Sequence, residues 1–146
     1  MEKSVMLKKQ FMESFGLEQQ DIRTYSPLTL AYLGDAEFEL IVRTALVEKK
    51  NTQPEKLHKA ATKIVKAETQ AVMAELLKDS LTEEELAVYK RGRNAKAVTR
   101  AKNATMSEYR RATGFEALMG WLYLKDETGR MLELIHMGIE KAEVTL

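Results

Sequence analysis

The 146-residue chain contains no cysteine and only two histidines. These absences exclude a disulfide scaffold, a thiolate zinc site and a cysteine nucleophile, and they leave too few imidazoles for a histidine-rich metal site. A metal ion bound by this chain would therefore need oxygen ligands, which favours Mg²⁺, with Mn²⁺ as a substitute.

Long hydrophobic runs are also missing, since no stretch approaches the roughly 18 uninterrupted apolar residues of a membrane span. Residues 1–15 carry charges throughout and do not resemble a secretory signal. We therefore expect a cytoplasmic protein that has no membrane partner. The composition, 45% hydrophobic and 31% charged, is that of an ordinary globular domain.

The chain has only two prolines, Pro27 and Pro54, and each stands at a predicted helix start. Apolar residues recur at helical spacing, and no alternating β-branched run predicts a strand, so the expected fold class is all-α. The region 92–106 is polar and basic and is predicted to be a long loop, after which Ser107 is a candidate N-cap of the next helix. The helices are predicted near 4–14, 27–48, 54–79 (one helix or a kinked pair), 83–91, 107–125 and 129–143.

Positive charge is concentrated in one segment, although the net charge of the whole chain is only +1. Residues 90–111 contain eight Lys or Arg and one Glu, a net charge of +7, which leaves −6 for the rest of the chain. A local positive field of this kind attracts a phosphate backbone. A solvated charged face is the alternative interpretation. The region 92–106 contains no aromatic residue, which favours a duplex over a single strand as the nucleic acid bound.

Two acidic residues occupy unusual positions on predicted helices. Asp35 follows Gly34 inside an apolar stretch, and Glu116 lies among apolar residues shortly before Gly120. If the two glycines face one another, the helices can approach closely and the carboxylates converge. Such a pair either shares a proton or binds a metal ion. The alternative is that each acid lies at a solvent-facing edge and pairs with Lys or Arg.

Three motifs occur in order: YLGDA at 32–36, KRGRNAK at 90–96 and GFEALMGWLYL at 114–124. The first and third resemble the two signature helices of the ribonuclease III family. Together the three motifs most closely resemble Mini-ribonuclease III, the short bacterial branch of that family. The resemblance covers about residues 25–143. It implies that residues 1–146 form a single catalytic domain with the family's helical fold, that the protein is a homodimer, and that no double-stranded-RNA-binding domain is appended.

The resemblance implies that Asp35 and Glu116 are the catalytic residues and the ligands of Mg²⁺. Two further acids of the family's site are replaced here by Ala31 and Thr113. A metal ion with fewer protein ligands and more water is therefore expected, and Thr113 is a candidate to hold one of those waters.

The implied activity is endonucleolytic cleavage of double-stranded RNA, not DNA, that leaves 5′-phosphate and 3′-hydroxyl ends. The expected substrate is precursor 23S ribosomal RNA. The alternative is an inactive relative that binds RNA or the ribosome. The residues predicted to contact RNA are Arg93, Asn94, Lys96, Arg100 and Lys102.

Overall fold

The computed structural model describes residues 3–95 and 104–146. Over these ranges the chain forms seven α-helices and no strand, so the all-α prediction is confirmed. Short 3₁₀ turns at Ile22–Thr24 and Lys78–Ser80 precede α2 and α5. The helices are α1 (Lys3–Phe15), α2 (Pro27–Lys49), α3 (Pro54–Val65), α4 (Ala67–Leu77), α5 (Glu83–Asn94), α6 (Met106–Leu124) and α7 (Thr128–Lys141).

The region predicted at 54–79 is a pair of helices. Lys66 has extended backbone dihedrals, φ −65° and ψ 153°, and it separates α3 from α4. Its N–H still donates to the carbonyl of Thr62 and completes the last turn of α3. The chain therefore changes direction at one residue, without a loop.

Side-chain caps fix where several helices begin. The Ser26 side chain accepts from the Thr29 N–H at the start of α2, and Thr82 and Glu85 form a capping box at the start of α5. The prediction that Ser107 caps α6 is wrong. Thr105 is the N-cap, because its side chain accepts from the Glu108 N–H while Glu108 bonds back to the Thr105 N–H.

The predicted loop at 92–106 is too long at both ends, since α5 continues to Asn94 and α6 begins at Met106. Glycine has a low helix propensity, but Gly92 is buried where α5 crosses α6. A Cβ atom at Gly92 would lie 2.9 Å from the Cα of Gly114 and 2.8 Å from the Cβ of Ala117. Close packing therefore outweighs propensity here. Lys96, Arg100 and Lys102 lie outside the described residues.

Helix α6 is the centre of the core and packs against α2, α4, α5 and α7. Its residues from Ala112 to Leu122 are buried, except for the partly buried Glu116. The rings of Phe38 on α2 and Phe115 on α6 meet edge to face, with centroids 5.2 Å apart. Asp35 on α2 and Glu116 on α6, the acids of the two signature motifs, are thus carried by helices that cross in the core. Within the described ranges, no helix has the length and apolar character needed to span a membrane.

Candidate active site

The crossing of α2 and α6 is formed by two glycines that touch the opposite backbone. A Cβ atom on Gly34 would lie 1.8 Å from the Glu116 carbonyl oxygen and 2.7 Å from the Gly120 nitrogen. A Cβ atom on Gly120 would lie 2.0 Å from the Leu30 carbonyl oxygen. No side chain fits at either position, because the obstacles are backbone atoms. The two glycines therefore face one another, which is the condition under which the two carboxylates were expected to converge.

This close crossing brings Asp35 and Glu116 to one open cavity of about 200 Å³. Tyr32, Tyr109 and Thr113 also line it. In the described part of the chain, neither carboxylate forms an ion pair with Lys or Arg. Asp35 is exposed to solvent, as the alternative interpretation expects, whereas Glu116 is partly buried. The two acids are each other's neighbours.

Burial and the neighbouring carboxylate both disfavour a negative charge on Glu116. Burial, followed by the negative charge of Asp35, raises the pKa of Glu116 to about 8. A hydrogen bond from Gln70 acts in the opposite direction. Without a cation, Glu116 therefore keeps its proton at neutral pH. A divalent cation would relieve the same repulsion by replacing that proton.

Gln70 on α4 belongs to this site, and sequence reasoning did not identify it. Its Nε2 donates to Glu116 Oε2 at 3.2 Å and to the Val65 carbonyl at 2.7 Å. Only 1% of the residue is exposed, and its Oε1 has no hydrogen-bond partner among the described residues. The Val65 carbonyl at the α3–α4 break thus orients the amide toward Glu116. A glutamine on the buried face of a largely apolar helix was the available signal.

The two positions where the family's acids are replaced also line the cavity. Ala31 lies one turn before Asp35 and is 5% exposed. Thr113 lies nearly one turn before Glu116, and its hydroxyl donates to the Tyr109 carbonyl at 2.9 Å, which leaves the oxygen lone pairs to accept. In the described ranges, no group of three or more Asp, Glu, His or Cys is placed to hold a metal ion. The site therefore offers two carboxylates to a cation.

Residues 28–127 match the family model of the ribonuclease III domain. The chain belongs to the ribonuclease III family. It is 48% identical over 128 residues to the Mini-ribonuclease 3 of Enterococcus faecalis, which covers 86% of this chain and 97% of that protein. The Mini-ribonuclease 3 of a Thermoanaerobacter species is 41% identical over 144 residues, which covers 98% of this chain and 99% of the relative.

A solved structure shares the fold. The crystal structure of a Fusobacterium nucleatum protein superposes with a TM-score of 0.76 at 32% identity, covering 84% of this chain and 98% of that one. The resemblance to Mini-ribonuclease III is thereby confirmed, and the protein is an endoribonuclease. Enzymes of the ribonuclease III family act on double-stranded RNA and generally depend on divalent metal ions.

In this ribonuclease III domain, Arg93 and Asn94 lie in the last turn of α5. The Arg93 Nε donates to Asn94 Oδ1 at 3.2 Å, and both side chains line a second cavity together with Arg110 and Arg111. The structure therefore joins two of the predicted RNA-contacting residues to basic residues of α6.

The raised pKa of Glu116 predicts a specific pH dependence of stability in EDTA. Between the ordinary pKa of 4.5 and the folded-state value of about 8, the unfolded chain has lost the Glu116 proton while the folded domain keeps it. The free energy of unfolding should therefore fall as the pH rises through this window. Urea denaturation at a series of pH values measures it. Glu116→Gln is the matched control, because it mimics the protonated acid. Equal pH slopes for the wild type and this variant would contradict the prediction.

Proposed function

We propose that the protein is a Mg²⁺-dependent endoribonuclease that cleaves double-stranded RNA with Asp35 and Glu116 as catalytic residues and metal ligands. The observation that carries this proposal is the convergence of the two carboxylates in one open cavity where α2 crosses α6. Mn²⁺ is expected to replace Mg²⁺, because both prefer oxygen ligands.

The residues present fit a hydrated divalent cation. Mg²⁺ is commonly held by one or two carboxylates and keeps several of its waters. Gln70 fixes the orientation of Glu116. Thr113 lines the same cavity, and its hydroxyl oxygen is a candidate to accept a hydrogen bond from a metal-bound water. Bound there, Mg²⁺ would polarise the scissile phosphate and lower the pKa of a coordinated water. The chain itself supplies the ligands, their orientation and the walls of the cavity.

RNA binding is assigned to the basic residues at and after the end of α5. Arg93 and Asn94 are held there by the α5–α6 crossing, and Lys96, Arg100 and Lys102 follow in the sequence. Phosphate contacts of this kind position a duplex without reading its sequence. The expected products carry 5′-phosphate and 3′-hydroxyl ends.

The active form is proposed to be a homodimer that cuts both strands of one duplex. Tyr32, on the rim of the cavity beside Asp35, is 83% exposed although its neighbours Leu30 and Ala31 are buried. A single exposed aromatic side chain is ordinary on a protein surface, so the support for the homodimer is the resemblance to the ribonuclease III family. Twofold symmetry would position the active site of the second subunit at the opposite strand of the duplex.

The proposed biological role is cytoplasmic maturation of precursor 23S ribosomal RNA. Its support is the resemblance to the Mini-ribonuclease branch, in which this RNA is the usual substrate. A comparison of 23S rRNA ends in cells with and without the protein tests the role, and unchanged ends would contradict it.

Cleavage of a long RNA duplex by the wild-type protein tests the biochemical proposal. We expect cleavage with Mg²⁺ or Mn²⁺, none with EDTA, and none of a DNA duplex of the same sequence. Product ends are identified by labelling before and after phosphatase treatment. An RNA duplex left intact in Mg²⁺, or cut equally well in EDTA, would contradict the proposal.

A further inference from the structure

A second cavity, of about 350 Å³, lies where the C-terminal ends of α4 and α5 meet the start of α6. Asn94 and Ser107 add neutral hydrogen-bonding groups to its wall. Its remaining lining is a carboxylate, Glu75, and four cationic side chains, those of Lys78, Arg93, Arg110 and Arg111.

The α5–α6 crossing fixes the positions of the two helices that carry most of this cavity. A Cβ atom on Gly114 would lie 2.7 Å from the Tyr89 carbonyl oxygen and 2.8 Å from the Tyr89 ring. Together with the contact of Gly92 on Gly114, this crossing leaves no room for α5 to slide along α6. The basic residues at the end of α5 are therefore held beside those at the start of α6.

The positive charge of the cavity is not neutralised by its own acid. Four cations face one carboxylate, which leaves an excess of three positive charges. Glu75 Oε2 is 3.5 Å from Lys78 Nζ and 4.0 Å from Arg111 Nε, both longer than the roughly 2.7–2.9 Å of a tight charge-assisted hydrogen bond. Glu75 is thus shared between two cations and fully neutralises neither of them.

Tyr89, which does not line the cavity, packs against one of its cations. The Arg93 guanidinium lies over the Tyr89 ring, 5.8 Å from its centroid. The residue is 1% exposed, and its hydroxyl has no hydrogen-bond partner among the described residues. Burial and then the charge of Glu75 raise the pKa of Tyr89, whereas Arg93 and Arg111 lower it. The hydroxyl therefore keeps its proton, and the Tyr89 ring supports the Arg93 guanidinium from below the cavity wall.

We propose that this cavity binds a phosphate group through Lys78, Arg93 and Arg111, at a site separate from the Asp35–Glu116 pair. Guanidinium groups present paired donors that match phosphate oxygens, and a lysine adds a point charge. Hydrogen bonding of the phosphate to several donors explains why so many cations stand around one carboxylate.

The two sites lie on different sides of α6. Residues of an α-helix are rotated by about 100° each, so Tyr109, Thr113 and Glu116 share one face. Arg110 and Arg111, with Ser107, are centred on the opposite face. Helix α6 therefore lies between the phosphate site and the acid pair. The phosphate group is either a backbone phosphate of a bound duplex, a case that rests on the proposed function, or a free phosphate or nucleotide.

Two binding probes used with the full chain in EDTA test the site and distinguish its ligand. Inorganic phosphate is titrated by calorimetry, and a fluorescent RNA duplex is titrated by anisotropy at several salt concentrations. The test variants are Lys78→Gln/Arg111→Gln and Glu75→Gln. The matched control is Lys59→Gln/Arg43→Gln, which also removes one lysine and one arginine, both exposed and away from the cavity.

We expect the Lys78/Arg111 double variant to bind inorganic phosphate about tenfold more weakly or worse, and the control to stay within about twofold of the wild type. Glu75→Gln should bind more tightly than the wild type. A gain of affinity cannot arise from a damaged fold. If a backbone phosphate occupies the site, the double variant also binds the duplex more weakly, with a salt slope reduced by about two.

Each outcome bears on the proposal. Loss of phosphate binding with unchanged duplex binding supports the site and assigns it to a free phosphate or nucleotide, and loss of duplex binding assigns it to RNA. The proposal is overturned if the double variant and the control bind both probes alike, if the wild type binds neither, or if Glu75→Gln weakens binding. Failure of the wild type to cleave RNA contradicts the proposed function alone, because the inorganic phosphate titration does not depend on it.

Discussion

Replacing Asp35 with asparagine should reduce cleavage of double-stranded RNA by on the order of 10³-fold or more. Asparagine keeps the shape of the side chain but removes the charge that a divalent cation needs, and metal-ion stabilisation contributes several kcal/mol to such reactions. Asparagine also keeps an Oδ1 that can accept a hydrogen bond from the protonated Glu116 carboxyl, so the variant should fold like the wild type. A variant that melts like the wild type but does not cleave has lost activity at the site and not by unfolding.

The measurement is kcat/KM for duplex cleavage in Mg²⁺, together with a thermal melt of each protein. Glu39→Gln is the matched control, since Glu39 lies one turn beyond Asp35 on α2 and pairs with Arg43. We expect its activity to stay within about twofold of the wild type. If the Asp35→Asn variant cleaves the duplex as well as the Glu39→Gln variant does, Asp35 is not a catalytic residue.

Replacing Gly34 with alanine should destabilise the domain by about 3 kcal/mol or more. The new Cβ atom would lie 1.8 Å from the Glu116 carbonyl oxygen, so the α2–α6 crossing has to open. Opening it separates the two carboxylates as well. A loss of stability and a loss of cleavage are therefore expected together, measured by urea denaturation and the duplex assay.

Gly129→Ala is the matched control for this substitution. Gly129 is also helical, near the start of α7, but a Cβ atom there has no heavy atom within 4 Å. Its stability should be equal to or slightly above that of the wild type, because alanine is the better helix former. If Gly34→Ala is as stable as Gly129→Ala, the close contact of α2 with α6 is contradicted.

Local sequence patterns predicted much of the fold. Helical spacing of apolar residues indicated an all-α domain, and Pro27 and Pro54 marked two helix starts correctly. These signals work because each is contained within a turn or two of one helix. The misplaced cap at Ser107 and the early end predicted for α5 show the limit. A better cap lay two residues earlier, and Gly92 is helical because of what it packs against.

Asp35 and Glu116 were identified as site candidates from their glycine-containing neighbourhoods and from the family resemblance. The sequence could not identify Gln70, because its partner Glu116 is 46 residues away and nothing local links them. It also left open whether the acids face each other or solvent. Both questions depend on how α2, α4 and α6 cross.

The sequence by itself determined the chemistry available to this protein: two acids in apolar helices, oxygen donors in place of thiolates, and a basic segment inside an otherwise acidic chain. Only the tertiary structure decided which groups act together. It placed Gln70 on Glu116 and gathered Lys78, Arg93 and Arg111 around one cavity from three parts of the chain. The physical reason is that repulsion, desolvation and hydrogen bonding depend on distances of a few ångströms, and helix packing sets those distances.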